Sequence, residues 1–158
     1  MESTHRLAVR RIEEAFTKID PVFLRTPQYS NESLNRILNT TLILKIETIN
    51  PLRCFKGRGA EFLVSQAPTN APMICASAGN FGQAMAYACR KRNITLTVYA
   101  STKANPLKIE RMKQLGAQVI LHGEDFDAAK LEAKRIASKS GTRFIEDSLD
   151  IETLEGAG

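Results

Sequence analysis

Lys56 stands in the stretch CFKGRGA (54–60), and further along SAGNFGQ (77–83) brings a serine, an asparagine and two glycines together. A lysine amine that gives up its proton at neutral pH attacks carbonyl groups and forms Schiff bases. Such an amine needs burial or a neighbouring cation, and Phe55 and Arg58 are the residues placed to provide them. Against this stands the commoner use of a lone lysine as a solvated surface charge. In the second stretch, Gly79 and Gly82 let the backbone turn and approach a ligand closely. The N–H groups at the start of the following helix favour a carboxylate or phosphate. Ser77 and Asn80 add side-chain hydrogen bonds. Two glycines at this spacing equally serve a tight turn and close helix packing, and the Gly-Arg-Gly after Lys56 reads as a bend.

The elements that must hold these residues alternate. MICASA reads as a strand, GNFGQAMAYACRKR as an alanine-rich helix and ITLTVYA as a strand. Asn105-Pro106 then gives an N-cap and a proline at the first helical position. Ile109, Met112 and Leu115 form that helix's apolar side, and Gly116 ends it. AQVILHG is a strand, Phe126, Ala129, Ala133 and Ile136 mark a helix that stops at Gly141, and TRFIED is a strand. This alternation predicts an α/β fold: an open parallel sheet with helices on both faces. In such sheets ligands bind beyond the carboxyl ends of the strands, which is where residues 77–83 fall.

Before this series, Val9, Ile12, Phe16 and Ile19 put one apolar stripe on a helix over 4–19, which Asp20-Pro21 ends. PVFLRTPQYS reads as an extended connector, TLILKIE (41–47) as a strand and INPLR as a loop, with a helix from Lys56 to Gln66. The helix 4–19 and the strand 41–47 lack an obvious partner layer. LDIETLEGAG stops with no closing helix. The chain therefore reads as part of something larger.

Composition is that of a soluble domain: 158 residues, 43% hydrophobic and 25% charged. No apolar run reaches the length of a membrane span, and the start, with charged and apolar residues alternating, is no signal peptide. The net charge of +5 suits anionic ligands or nucleic acid. Nucleic acid is disfavoured, because acidic residues such as Glu110 and Glu132 interleave the basic ones. GNFG also lacks the basic residues that a KH-type loop carries between its glycines. Cys54, Cys75 and Cys89 are odd in number with no CxxC, and His5 and His122 are far apart. No metal site is expected, and the cysteine pattern suits a reducing cytoplasm. Cys75 and Cys89 read as small core hydrophobes.

CFKGRGA followed by SAGNFGQAMAYA resembles the N-terminal half of the fold-type II pyridoxal-phosphate enzymes, in the serine/threonine dehydratase branch. The likeness extends to RTP (25–27), LKIE (44–47) and KIERMKQLGAQVIL (108–121). It implies that Lys56 holds pyridoxal phosphate as a Schiff base and acts as the catalytic residue. Asn80 would bind the cofactor's ring hydroxyl, and Ser77, Ala78, Gly79, Asn80 and Phe81 would bind the substrate's α-carboxylate. The implied reaction is β-elimination from threonine or serine, giving a 2-keto acid and ammonia. Phe81 replaces the family's usual histidine, Cys54 its serine and Gln28 a common apolar residue. Ala78 stands where racemases of the family place a second serine, so elimination is favoured over racemisation.

Family members are about twice this long, and their second half supplies a glycine-rich cup for the cofactor phosphate, of which no run appears here. The expected division is 1–49 as part of an incomplete large domain, 50–147 as the small α/β domain, and 148–158 as the start of a connection. Alone, such a chain would be impaired as a dehydratase, and its uncovered face would favour self-association. The alternative is a non-catalytic α/β module that binds a metabolite or a partner subunit and uses Lys56 only electrostatically.

Overall fold

The structure is a computed structural model that describes residues 6–158. The chain opens with α1 (Val9–Lys18), the single turn α2 (Pro21–Leu24), β1 (Gln28–Ser30), α3 (Glu32–Leu38), β2 (Ile43–Lys45) and a 3-10 turn (Glu47–Ile49). Helix α4 (Lys56–Ser65) leads into the alternating series β3 (Met73–Ala76), α5 (Asn80–Lys91), β4 (Leu96–Ala100) and α6 (Pro106–Gln114). It continues through β5 (Gln118–Leu121), α7 (Phe126–Ser140) and β6 (Arg143–Ile145) to a last short helix, α8 (Ile151–Glu155).

The series forms a parallel four-stranded sheet in the order β5-β4-β3-β6. The inner strands β3 and β4 are apolar and largely buried, as strands covered on both faces must be. On one side Phe62, Leu63, Met85, Val98, Met112 and Ile145 form the main core beneath α4, α5 and α6. On the other side α7 lays Ala129, Ala133 and Ala137 against Ile74, Ala76 and Tyr99. Large side chains buried in this way stabilise by about 1.5–3 kcal/mol each. The expected open parallel α/β sheet is therefore present.

Strand order decides where the site lies. From β3 the chain builds outward through β4 to β5, then returns to add β6 on the other side of β3. The connections leaving β3 and β6 thus diverge, and a crevice opens at their carboxyl ends.

Outside the sheet the structure corrects several expectations. The first helix starts at Val9; Thr4 and His5 lie outside the described residues. Its stripe is only partly buried: Ile19 is inside and Ile12 half-buried, whereas Val9 and Phe16 are exposed, and Ala15, outside the expected stripe, is buried instead. PVFLRTPQYS is not simply extended. Asp20 Oδ1 accepts from the Val22 N–H at 3.0 Å, which caps α2, and β1 follows. Helix α3 was not expected. Asn31 Oδ1 caps it by accepting from the Leu34 N–H at 3.0 Å, and Asn39, at φ 47°, ends it in the left-handed region.

The strand expected over 41–47 contracts to β2, and it has a partner: β1 pairs with it antiparallel, Tyr29 opposite Leu44. The ending does carry a helix, α8, packed on α4. The helix expected from Lys56 to Gln66 is α4, and Gly-Arg-Gly lies in its first turn rather than forming a bend before it. A Cβ on Gly59 would lie 2.3 Å from the Thr153 carbonyl oxygen, so glycine here permits α8 to approach.

Candidate active site

Lys56 is the first residue of α4, and the segment before it is fixed by a buried polar network. Arg58 Nη2 donates to Glu47 Oε1 at 2.7 Å and to Thr26 Oγ1 at 3.3 Å, while Thr26 donates to the same Glu47 oxygen at 3.0 Å. Asn50 Nδ2 donates to Glu47 Oε2 and to the Cys54 carbonyl, and its Oδ1 accepts from the Leu52 N–H. Residues of RTP, LKIE and KGRG thus meet in one cluster under the entry to α4. Arg58, expected to act on Lys56 as a neighbouring cation, is committed to Glu47 instead.

Lys56 points the other way. Its Nζ donates to Asp147 Oδ2 at 2.7 Å and lies 5.0 Å from the centre of the Phe55 ring. Phe55 is itself half exposed and does not bury the amine as expected. The side chains of Lys56 and Asp147 keep 27% and 34% of their surface accessible, so the pair sits at the rim of a cavity rather than in the core.

The SAGNFG loop follows β3. Ser77 is buried, and its Oγ accepts from the Gly79 N–H at 3.2 Å and from the Gly82 N–H at 2.9 Å. One oxygen therefore closes the loop and caps the first turn of α5. The other N–H groups of that turn, those of Asn80 and Phe81, have no intrahelical acceptor, a position that favours an anion. Gly82 lies inside the helix, where a Cβ would sit 2.4 Å from Met112 Sδ, so it serves the packing of α5 on α6. Phe81 is buried in the main core with one side on the cavity.

A cavity of about 320 Å³ joins these parts: Lys56, Ser77, Ala78, Gly79, Asn80 and Phe81 all line it. Ala76, the last residue of β3, lies beside the loop, and three residues from elsewhere complete the wall: Lys108 from α6, Phe126 at the start of α7, and Asp147 after β6. Sequence reasoning missed all three. For Asp147 the reason is register. Cys75 pairs with Ile145, so two residues on, Asp147 comes level with Ser77, which requires knowing that β6 lies beside β3.

None of the three cysteines lines the cavity. Burial pushes the Cys89 thiol up to about 12 and raises that of Cys75 as well. Cys54 is half-buried below Lys56, and burial raises its thiol too, partly offset by the backbone N–H of Lys56.

Residues 19–158 match the family described as pyridoxal-phosphate dependent enzyme. The chain belongs to that family. A biosynthetic L-threonine dehydratase of Mycobacterium tuberculosis is 31% identical over an alignment of 153 residues that covers 93% of this chain and 36% of the relative. The mitochondrial threonine dehydratase of Saccharomyces cerevisiae is 34% identical over 127 residues, 78% of this chain and 22% of that protein. Among solved structures, the processed form of threonine deaminase isoform 2 from Solanum lycopersicum superposes with a TM-score of 0.81 at 27% identity. That match covers 94% of this chain and 45% of the tomato protein. Maize serine racemase reaches 0.85 at 24% identity, covering 96% and 47%, and this likeness speaks to the fold alone. The chain spans about a third of the length of the bacterial relative.

The donor set fits the family's cofactor, pyridoxal phosphate, at its aldehyde end. A primary amine, Lys56 Nζ, reaches the cavity, and Asn80, whose side chain hydrogen-bonds to none of the described residues, stands in the same wall. Gly79 is the only glycine lining the cavity among the described residues, so no glycine-rich cradle for a phosphate is seen there.

Proposed function

We propose that this chain supplies the lysine-bearing half of an active site that removes water and then ammonia from a hydroxy amino acid such as threonine or serine, leaving a 2-keto acid. The single observation that carries this reading is the cavity uniting Lys56 with the Ser77–Phe81 loop. Lys56 would hold pyridoxal phosphate through Nζ, and Asn80 would hydrogen-bond its ring hydroxyl. When bound, the cofactor draws electrons from the substrate's α-carbon and eases removal of its proton. Lys56 Nζ, set free when the substrate's own amine takes its place, would be the base that takes that proton. The free N–H groups at the start of α5 would bind the substrate's α-carboxylate, with Ser77 holding the loop in shape. Ala78 offers only a methyl group to the opposite face, which favours elimination over racemisation.

The division proposed with this reading keeps 50–147 as the small α/β domain. Residues 1–49 belong with a larger domain, and 148–158 begin the connection to it. Contacts to the cofactor phosphate would come from outside the described residues, and activity of the 158 residues alone would be impaired. Exposed Val9, Phe16, Ile37 and Ile43 support self-association. Three free cysteines, two of them buried, support a reducing compartment such as the cytoplasm. No helix among the described residues is long and apolar enough to cross a membrane.

The ion pair with Asp147 favours a second reading, in which Lys56 acts only through its charge in a non-catalytic module that binds a metabolite or a partner subunit. One experiment separates the two. The chain is mixed with pyridoxal phosphate, reduced with borohydride, and its modified residues are mapped by mass spectrometry beside Lys56→Ala. Stoichiometric labelling at Lys56, lost in the variant, is expected. Labelling scattered over surface lysines and unchanged by the mutation would remove the enzymatic reading.

A further inference from the structure

Among the described residues Lys56 has one charged partner, and it comes from a distant part of the chain. Asp147 leaves the carboxyl end of β6, where the strand order sets it level with Ser77, and its Oδ2 accepts from Lys56 Nζ at 2.7 Å. The neighbouring carboxylate, Glu146, is already taken by Lys130 and Lys134 of α7, so it does not compete for Lys56. Among the carboxylates of α8, Glu155 is held by Arg11, and Glu152 lies within reach of Arg143. The other charged or titratable groups near the amine are Lys108 across the cavity and the half-buried thiol of Cys54. Asp147 is therefore the carboxylate that faces Lys56 without another cation to satisfy it.

We propose that Asp147 is a positioning residue that serves as the resting counter-ion of Lys56. It holds the Nζ ammonium at the rim of the cavity that the Ser77 loop also lines, and is given up when the amine reacts. Condensation with an aldehyde requires this exchange. The ammonium first loses one proton to solvent, which ends the charge attraction. The nitrogen lone pair then bonds to the carbonyl carbon, the carbonyl oxygen leaves as water with the two remaining protons, and a carbon–nitrogen double bond results. In a cavity at the surface, an ion pair of this exposure is weak, so Asp147 slows the amine modestly without disabling it. Once Lys56 is engaged, Asp147 remains as a free carboxylate on the wall facing Lys108.

This inference rests on the reading of Lys56 as an amine nucleophile, but its test does not depend on cofactor binding. The full chain is exposed to formaldehyde with cyanoborohydride at pH 7.5, and methylation of each lysine is followed by mass spectrometry, with the exposed Lys103 and Lys113, which lie outside the cavity, as internal references. Asp147→Asn is expected to raise the rate at Lys56 about two- to fivefold and to leave the references unchanged. Asp147→Glu is expected to restore the slow rate, which a loop held merely by shape would not do. An unchanged or slower Lys56 in Asp147→Asn, with the references steady, overturns the proposal. A parallel arm with pyridoxal phosphate and borohydride reports on the cofactor separately. Scattered labelling there, beside a clear effect with formaldehyde, would sink the cofactor reading while leaving the role of Asp147 intact.

Discussion

Glu47 and Arg58 meet in a 2.7 Å ion pair that ties the turn after β2 to the first turn of the helix that Lys56 begins. Arg58 is buried, and the carboxylate is shared with Thr26 and Asn50, so the pair is the centre of the network beneath the site. Removing one partner of a buried pair leaves the other charge uncompensated, a larger cost than exchanging both for apolar residues. Glu47→Ala is expected to lower stability by about 3 kcal/mol in urea unfolding. The double change Glu47→Leu with Arg58→Met should recover much of that loss. A single variant that loses less than about 1 kcal/mol would show that the network does not carry the entry to α4.

A second expectation concerns the contact of α4 with α8. Gly59 and Gly156 bring the two helices together with nothing between their backbones: a Cβ on Gly156 would lie 2.9 Å from Gly59 Cα. An added methyl at Gly59 meets the Thr153 backbone, not a side chain that can swing away. Gly59→Ala should therefore destabilise by about 1–3 kcal/mol, even though alanine is the better helix former by about 1 kcal/mol. Denaturant unfolding checks it. A gain in stability would mean that propensity wins and that α8 is not docked as described.

The regular part of the fold was legible because its signals are local. The apolar runs MICA and LTVYA, the Asn105-Pro106 start of α6 and the alanine face of α7 each read correctly from neighbours within a turn or a strand. The site was legible for the same reason where two short stretches carry it, 54–60 and 77–83. What stayed hidden depended on tertiary pairing. Asp147 and Lys108 join the cavity only through strand order and helix packing. The role of Arg58 depends on Glu47, which a sequence places in another element. The glycines of CFKGRGA looked like a bend because a glycine needed for helix contact and one needed for a turn are written identically. Helix α3 did leave a signal, Asn31 followed by ESLNRIL and Asn39, but the segment is too short for periodicity to mark it.

The last expectation is for acid and alkaline behaviour, where two glutamates act in opposite senses. Hydrogen bonds from Lys130 and Lys134 hold the Glu146 carboxyl below its usual range. Its contribution to stability is complete above the ordinary glutamate value of about 4.3 and is lost as the pH falls through the lowered value in the fold. Glu61 is the reverse. Burial pushes its carboxyl up, with Arg92 and Lys91 pulling it back only in part, and one of its oxygens finds no hydrogen-bond partner among the described residues. The protonated form is favoured by the fold, so its contribution is present at low pH and is lost as the pH rises from about 4.3 through the raised value. Urea unfolding across pH 3 to 8 should therefore show two opposite trends. The destabilisation caused by Glu146→Gln should shrink toward acid pH. Glu61→Gln should compare most favourably with the parent at neutral pH and least favourably at acid pH. Two curves that run parallel to the parent would show that neither carboxylate changes its proton affinity on folding.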